Sequence, residues 1–201
     1  GRHGMDFEEM EDEDLGGRMR RRPGADQEAE ITISLEEADR GGRKSISLQS
    51  SEMDSRGRPR PRTRTYDVRF PSGVTDGARI RLAGQGAEGA GGAGDLYLKV
   101  RLEPHHAFKV TGRDLETEVK VTPWKAALGG KVMVPTLSGL AAIAIPAGTQ
   151  SGQRVRLRGK GLGGKGDLYA KIQIVVPTRL TAKEKDLFEQ LARASSFDPE
   201  S

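Results

Sequence analysis

Much of this chain is written twice. Phe70-Pro71-Ser72-Gly73, Gly77, Arg79-Ile80-Arg81-Leu82 and Gly84-Gln85-Gly86 return 75 residues later as Ile145-Pro146-Ala147-Gly148, Gly152, Arg154-Val155-Arg156-Leu157 and Gly159-Lys160-Gly161. Gly94-Asp95-Leu96-Tyr97-Leu98-Lys99-Val100 returns after 72 as Gly166-Asp167-Leu168-Tyr169-Ala170-Lys171-Ile172, so the linking loop is three residues shorter in the second copy. The beginnings correspond too: Glu30-Ile31-Thr32-Ile33-Ser34 with Glu118-Val119-Lys120-Val121-Thr122, and Gly41-Gly42 with Gly129-Gly130. Segments that recur in the same order, 88, 75 and 72 residues on, mark a repeated supersecondary unit whose loops differ in length. The chain is therefore expected to be mainly β, two tandem copies of one small module rather than one large core. Composition agrees: 34% of the 201 residues are hydrophobic and 4% aromatic, while 27 glycines and 10 prolines supply the turns of a strand-rich fold.

The alternation of Ile31, Ile33 and Leu35 with Thr32 and Ser34 predicts a half-buried strand. Ser34-Leu35-Glu36-Glu37 then reads as a capping box, opening a helix of a turn or two that Gly41 and Gly42 end. A second strand carries Ile46 and Leu48 on one face. Residues 49–64 hold Pro59, Pro61 and five arginines with no apolar period, and are expected to form an exposed loop. In the second copy Thr122 is the expected N-cap, with Pro123 at the first helical position, where a missing N–H costs nothing. Beyond both copies, Thr181-Ala182-Lys183-Glu184 is another capping box, and Leu180, Leu187, Phe188 and Leu191 share one face of the helix it opens. At the other end, Glu8, Glu9, Glu11, Asp12, Glu13 and Asp14 precede Arg18, Arg20, Arg21 and Arg22, with too few apolar residues to offset the entropy of ordering. The expected division is a disordered linker over 1–27, β modules over 28–103 and 104–178, each with one short helix, a helix over 179–195 and a tail over 196–201.

Few residues point to chemistry. Cysteine is absent, which removes disulfides, thiolate zinc sites and a catalytic thiol, and suits a reducing compartment. No run of about 18 apolar residues offers a membrane span, and no apolar stretch follows the basic residues of the N-terminus, as a signal peptide would need. The first residue is Gly1, as in a fragment. Two stretches satisfy G-x-G-x-x-G, beginning at Gly84 and Gly159, but a strand rather than a helix is expected after the second, so a pyrophosphate would meet no helix N-terminus. Gly166 also stands where a phosphate loop needs Ser or Thr. Both stretches read as hairpin loops. His3, His105 and His106 offer no third ligand at metal spacing, and no nucleophile, base and acid stand in a recognisable order. Asp95 and Asp167 each follow a glycine at the start of equivalent strands, which reads as turn chemistry rather than an acid/base pair. Trp124, the only tryptophan, is expected in a core or between modules. No enzyme, cofactor or metal is expected. Residues 1–27 carry a net −3 and the rest +7. Arg79, Arg81, Arg154, Arg156, Arg158 and Lys160 cluster in equivalent hairpins and could hold phosphates, without the interleaved aromatics or recognition helix that nucleic-acid binding favours.

Pro104-His105-His106-Ala107-Phe108, Gly112-Arg113-Asp114-Leu115, Thr122-Pro123-Trp124-Lys125-Ala126-Ala127-Leu128-Gly129 and Val134-Pro135-Thr136-Leu137 together resemble the C-terminal region of DnaJ-type co-chaperones. So do Ile145-Pro146-Ala147-Gly148-Thr149-Gln150 and Arg156-Leu157-Arg158-Gly159-Lys160-Gly161, and the resemblance runs from about Glu28 to Leu191. It implies two β-sandwich modules and a C-terminal dimerisation helix that joins two chains as a homodimer, with Leu180, Leu187, Phe188 and Leu191 in the seam. The zinc-free class is implied, because residues 49–64 lack the Cys cluster of the zinc-bearing one. The first module would hold extended apolar segments of unfolded client polypeptides by strand addition beside an apolar groove, at positions matching Ile33, Leu35, Ile46 and Leu48, with Leu98 nearby. The resemblance further implies a cytoplasmic stress-response protein that passes clients to a DnaK-type heat-shock ATPase through a J-domain. No histidine here precedes a proline, so the J-domain's His-Pro-Asp is missing, and the intact protein is expected to carry that domain upstream. Some zinc-free relatives bind curved DNA, which makes DNA the alternative partner.

Overall fold

The computed structural model describes residues 23–53 and 58–200; of the disordered linker expected over residues 1–27, the first 22 residues lie outside them, and Gln27 already belongs to the first strand. Among the described residues the order is β1 (Gln27–Ile33), α1 (Leu35–Arg40), β2 (Gly42–Met53), β3 (Pro59–Phe70), β4 (Arg79–Leu82), β5 (Leu96–Leu102), β6 (Lys109–Thr111) and β7 (Asp114–Val121). The chain continues through α2 (Pro123–Leu128), β8 (Gly130–Thr136), β9 (Gly139–Ile145), β10 (Arg154–Leu157), β11 (Leu168–Ile174) and α3 (Ala182–Ala194). The duplication in the sequence is a duplication of topology. β1-β5-β4 form one sheet, and their counterparts β7-β11-β10, extended by β6, form another; the hairpins β2-β3 and β8-β9 are two-stranded sheets of their own. The fold is thus mainly β, with one short helix per repeat and a helix at the C-terminal end. By its contacts the chain falls into two compact units, residues 1–30 with 79–99, and residues 31–78 with 100–201.

In the smaller unit β4 lies antiparallel to β5, Arg79 opposite Lys99 and Leu82 opposite Leu96, and Leu96 and Leu98 are buried. In the larger unit β7 and β11 run parallel from Leu115 beside Leu168 to Val121 beside Ile174. Period-two alternation sends Leu115, Val119 and Val121 of one strand and Leu168, Ala170 and Ile172 of the other to the buried face. α1 begins as the capping box requires: the Glu37 N–H donates to Ser34 Oγ at 3.1 Å and the Ser34 N–H to Glu37 Oε2 at 2.8 Å. It ends at Gly41, whose φ is 71°. α3 has the same box, the Glu184 N–H donating to Thr181 Oγ1 at 3.2 Å and the Thr181 N–H to Glu184 Oε2 at 2.7 Å. α2 differs. Thr122 occupies the N-cap and Pro123 the first position as expected, but the threonine makes no capping bond, and its Oγ1 is buried without a partner.

Most of the loop expected over residues 49–64 is strand instead. Residues 49–53 and 59–64 extend β2 and β3 into a long ribbon, paired without interruption from Gly42 opposite Phe70 to Arg60 opposite Glu52 and Pro59 opposite Met53; residues 54–57 lie outside the described residues. The reason is solvation. A strand with water on both faces needs no apolar period, and its polar side chains pair across the ladder instead. Ser47 and Thr65 hydroxyls are 3.1 Å apart, Ser45 Oγ donates to the Asp67 carboxylate, and Ser50 Oγ donates to the Arg62 carbonyl at 3.3 Å. Strand prolines are tolerated where the missing N–H would point out of the ladder, which is where β3 can place Pro59 and Pro61.

Within the larger unit α1 is latched to the loop that follows β10. The Gly163 N–H donates to Asp39 Oδ1 at 2.7 Å, and Ser72 Oγ donates to the Asp39 carbonyl at 2.6 Å. Gly163 has a φ of 62°, and a Cβ there would lie 2.5 Å from the Gly73 Cα. Gly163→Ala must therefore strain its backbone and force the latch apart. It is expected to cost roughly 2 kcal/mol, read as a fall of roughly 4–8 °C in thermal midpoint. An unchanged midpoint would show that the latch yields freely.

Candidate functional site

The hairpin arginines that could have held phosphate mostly have acids of their own. In the smaller unit Arg81 Nε donates to Asp95 Oδ2 at 2.6 Å, the Gly84 N–H donates to Oδ1 of that carboxylate at 2.9 Å, and the Asp95 N–H donates to Asp26 Oδ1 at 2.7 Å. Arg79 pairs with Glu28 and lies over the Tyr97 ring, 5.0 Å from its centre. The larger unit repeats the clasp. Arg156 and the Gly159 N–H donate to Asp167 at 2.6 and 2.8 Å, and the Asp167 N–H donates to Asp114 at 2.8 Å. Arg154 pairs with Glu116 at 2.6 Å over Tyr169. Asp95 and Asp167 are turn aspartates, as expected, and only Arg158 and Lys160 of the six basic residues lack a place in these clasps.

The backbone N–H of Gly84 or Gly159, aided by the neighbouring arginine, holds each clasp carboxyl below the ordinary aspartate range. A carboxylate whose folded value is lowered adds stability above its unfolded value and loses it as pH falls through the folded one. The thermal midpoint is therefore expected to be flat near neutrality and to drop below about pH 4. Asp95→Asn with Asp167→Asn should flatten that drop in melts run from neutral to acid. An equally steep drop in the variant would remove the clasps as its cause.

The five residues expected to receive a client separate into two groups. Ile33 and Leu35 in the larger unit are 0% and 1% exposed, and Leu98 in the smaller unit is 0% exposed; all three are core. Ile46 and Leu48 lie half-buried on one face of the ribbon, opposite Tyr66 and Arg64. The other face presents Arg43, Ser45, Ser47 and Gln49 to water. Among the described residues no third strand joins β2 or β3, so the outer edge of β2 offers a row of unpaired N–H and C=O groups. On β3 Pro59 and Pro61 withhold two of those donors. The length of the ribbon was missed from sequence; its signal was Thr63, Thr65 and Tyr66, strand formers between the prolines and Val68.

α3 buries none of its side chains. Leu180 is 43% exposed, Leu187 53% and Leu191 63%. Leu187, Phe188 and Leu191 line an open apolar groove of about 510 Å³ with Pro123, Trp124 and Ala127. Trp124, expected in a core or between modules, is not core: it is 48% exposed. α2 is only six residues long and turns Ala126 alone inward, which leaves its other apolar positions facing out. A contiguous patch of this kind marks an interaction surface.

His105 is structural. Its Nδ1 accepts the Ala107 N–H at 3.1 Å, which assigns the proton of the neutral ring to Nε2, 3.1 Å from Glu36 Oε1. Among the described residues no three His, Asp or Glu side chains gather as a metal site, and no helix is long and apolar enough to cross a membrane.

Comparison with known proteins finds that the family model for the DnaJ C terminal domain matches residues 27–177. The curved DNA-binding protein of Coxiella burnetii (strain Dugway 5J108-111) is 45% identical over 181 residues, 88% of this chain and 58% of that protein. The curved DNA-binding protein of Pseudomonas syringae pv. tomato is 45% identical over 193 residues, 92% of this chain and 62% of its own length. That of Pseudomonas putida (strain W619) is 46% identical over 194 residues, 92% of this chain and 61% of its own length. The chain spans about three fifths of the length of these relatives.

Proposed function

Because this chain belongs to the DnaJ C-terminal domain family, we propose that it is the client-holding region of a co-chaperone, binding unfolded polypeptides by their extended apolar segments. The observation that carries the reading is the pairing of an open strand edge with an apolar face: among the described residues no strand pairs with the outer edge of β2, and Ile46 and Leu48 stand half-exposed along it. A client segment would add to that edge as a further strand. Main-chain hydrogen bonds would hold it whatever its sequence, while every second side chain would reach the Ile46 and Leu48 face. Each apolar side chain so covered contributes about 1.5–3 kcal/mol, against the cost of ordering a flexible segment. Contacts this few favour a grip that is weak and reversible, as a carrier requires.

The apolar face of α3 would join two such chains as a homodimer. Two ribbons could then engage one client, the second at the high effective concentration that linkage confers. Delivery to a DnaK-type ATPase belongs to the whole protein and is proposed to depend on its J-domain. The test is the aggregation of a heat-denatured reporter, followed by light scattering with and without this chain. Suppression at near-stoichiometric ratio is expected, and scattering equal to that of the reporter alone would overturn the reading.

A second reading is supported by the relatives, which are named for curved DNA. On that reading the basic surface of the chain contacts a nucleic-acid backbone, and its affinity falls steeply with salt.

A further inference from the structure

The positive charge of this molecule is concentrated where its fold is thinnest. Residues 40–70 hold nine basic and three acidic residues, a net +6 against +4 for the whole chain, so the remainder is slightly acidic. The arginines of β4 and β10 have carboxylate partners. The root of the ribbon is different. There Arg43 stands directly opposite Arg69 in the ladder, an arrangement in which like charges repel. Arg40, the last residue of α1, lines the same open cleft of about 660 Å³, walled otherwise by Gly41, Gly42, Pro71 and Ser72 around Phe70. Among the described residues none of these three guanidiniums has an ion-pair partner. Guanidinium forks bind phosphate oxygens in pairs, and an anion seated between Arg43 and Arg69 would turn their repulsion into a bridge.

We propose that this cleft holds phosphates of a nucleic-acid backbone, with duplex lying along the exposed face of the ribbon; the inference rests on the DNA reading above and names its site. Outward from the cleft that face presents Ser45, Ser47 and Gln49 on β2 and Thr63 and Thr65 on β3, all exposed. These side chains both donate and accept hydrogen bonds. The one acid on the face, Asp67, is engaged by the Ser45 hydroxyl. Tyr66 belongs to the opposite face, so bases of a single strand would find no stacking platform here. A two-stranded ribbon does fit the major groove of a duplex, and a strand of this length reaches roughly 40 Å, a little over one helical turn. An acidic peptide could use the guanidiniums but would leave the hydroxyl row beyond them idle.

The test is fluorescence anisotropy of a labelled duplex of about 30 base pairs, titrated with this chain between about 50 and 200 mM salt. Binding is expected, with log affinity falling linearly in log salt. Arg43→Ser with Arg69→Ser should bind roughly tenfold more weakly at the lowest salt and flatten the salt slope by about 2. Its thermal midpoint should not fall, because an opposed like-charge pair is gone. If that variant melts early, Arg40→Ser, outside the ladder, should flatten the slope by about 1. A parent that binds while the folded variant matches it in affinity and slope overturns the cleft but leaves the DNA reading standing. No binding by the parent at the lowest salt overturns both. A poly-glutamate peptide that binds the parent more tightly than duplex, and loses that binding in the variant, would make the cleft an acidic-peptide site and sink the proposal.

Discussion

With Leu187 and Phe188 both replaced by aspartate, this chain is expected to run as a monomer in light scattering, at concentrations where the parent is expected to run as a dimer through the proposed α3 seam. A thirteen-residue helix is marginal alone in water, and this one buries no side chain within its own chain, yet its capping box is complete and its apolar residues share one face. The face continues into Trp124 and Ala127, so covering it removes large side chains from water on both elements. Burial of a leucine or phenylalanine contributes about 2 kcal/mol. In a two-fold interface every substitution counts twice, and a carboxylate forced into the seam adds its own desolvation cost. The loss is on the order of several kcal/mol, a thousandfold or more in dissociation constant. Leu187 is exposed and Phe188 half-buried in the single chain, and neither belongs to its core, so the fold should survive. A mass unchanged from the parent's dimer would show that the helix is not the seam.

Ile46→Ser with Leu48→Ser is expected to abolish suppression of reporter aggregation while leaving far-ultraviolet circular dichroism unchanged. Both residues lie on the ribbon and are only half-buried, so truncating them should cost little more than about 1 kcal/mol of stability. The ladder that holds β2 to β3 is main-chain and unaffected. What the variant lacks is an apolar floor beneath an added strand, and main-chain bonds alone exchange water for peptide at small net gain. Ser45→Ala with Ser47→Ala, on the opposite face, is the matched control and should suppress as the parent does. Equal suppression by both variants would move client binding off the Ile46 and Leu48 face.

The architecture was legible because the repeat preserves the residues that fold cannot replace. The two aspartates, the glycines whose N–H groups donate to them and the arginines beside them recur in the same order, and each set closes the same clasp. Burial was less legible. The Ile33 and Leu35 side chains alternate as those of a groove would, but alternation reports only that one side of a strand is apolar, and in both cases that side is core. The ribbon was hidden for the opposite reason. At Gln49, Ser50 and residues 58–64 no side chain is buried, so hydrophobic period carries no signal there, and the register rests on hydroxyl pairs and on the main-chain ladder. Trp124 misled through size: a large ring usually finds a core, but a helix of two turns has room for one inward position, and alanine fills it.

A protein that leaves a sheet edge open to strangers risks growing into a fibre of itself. Fibres need two adhesive sides, so that each newcomer offers the next one what it has just used. This ribbon has one. Along β3, Pro59 and Pro61 deny an incoming strand its donors, and the arginines at 60, 62 and 64 set like charge against like in any approaching copy. Two chains meeting through their β2 edges would close on each other and stop, because what each then shows outward is β3. The stretch that looked in sequence like a shapeless basic loop is therefore also a terminator, which lets a sticky edge persist at high concentration without propagating.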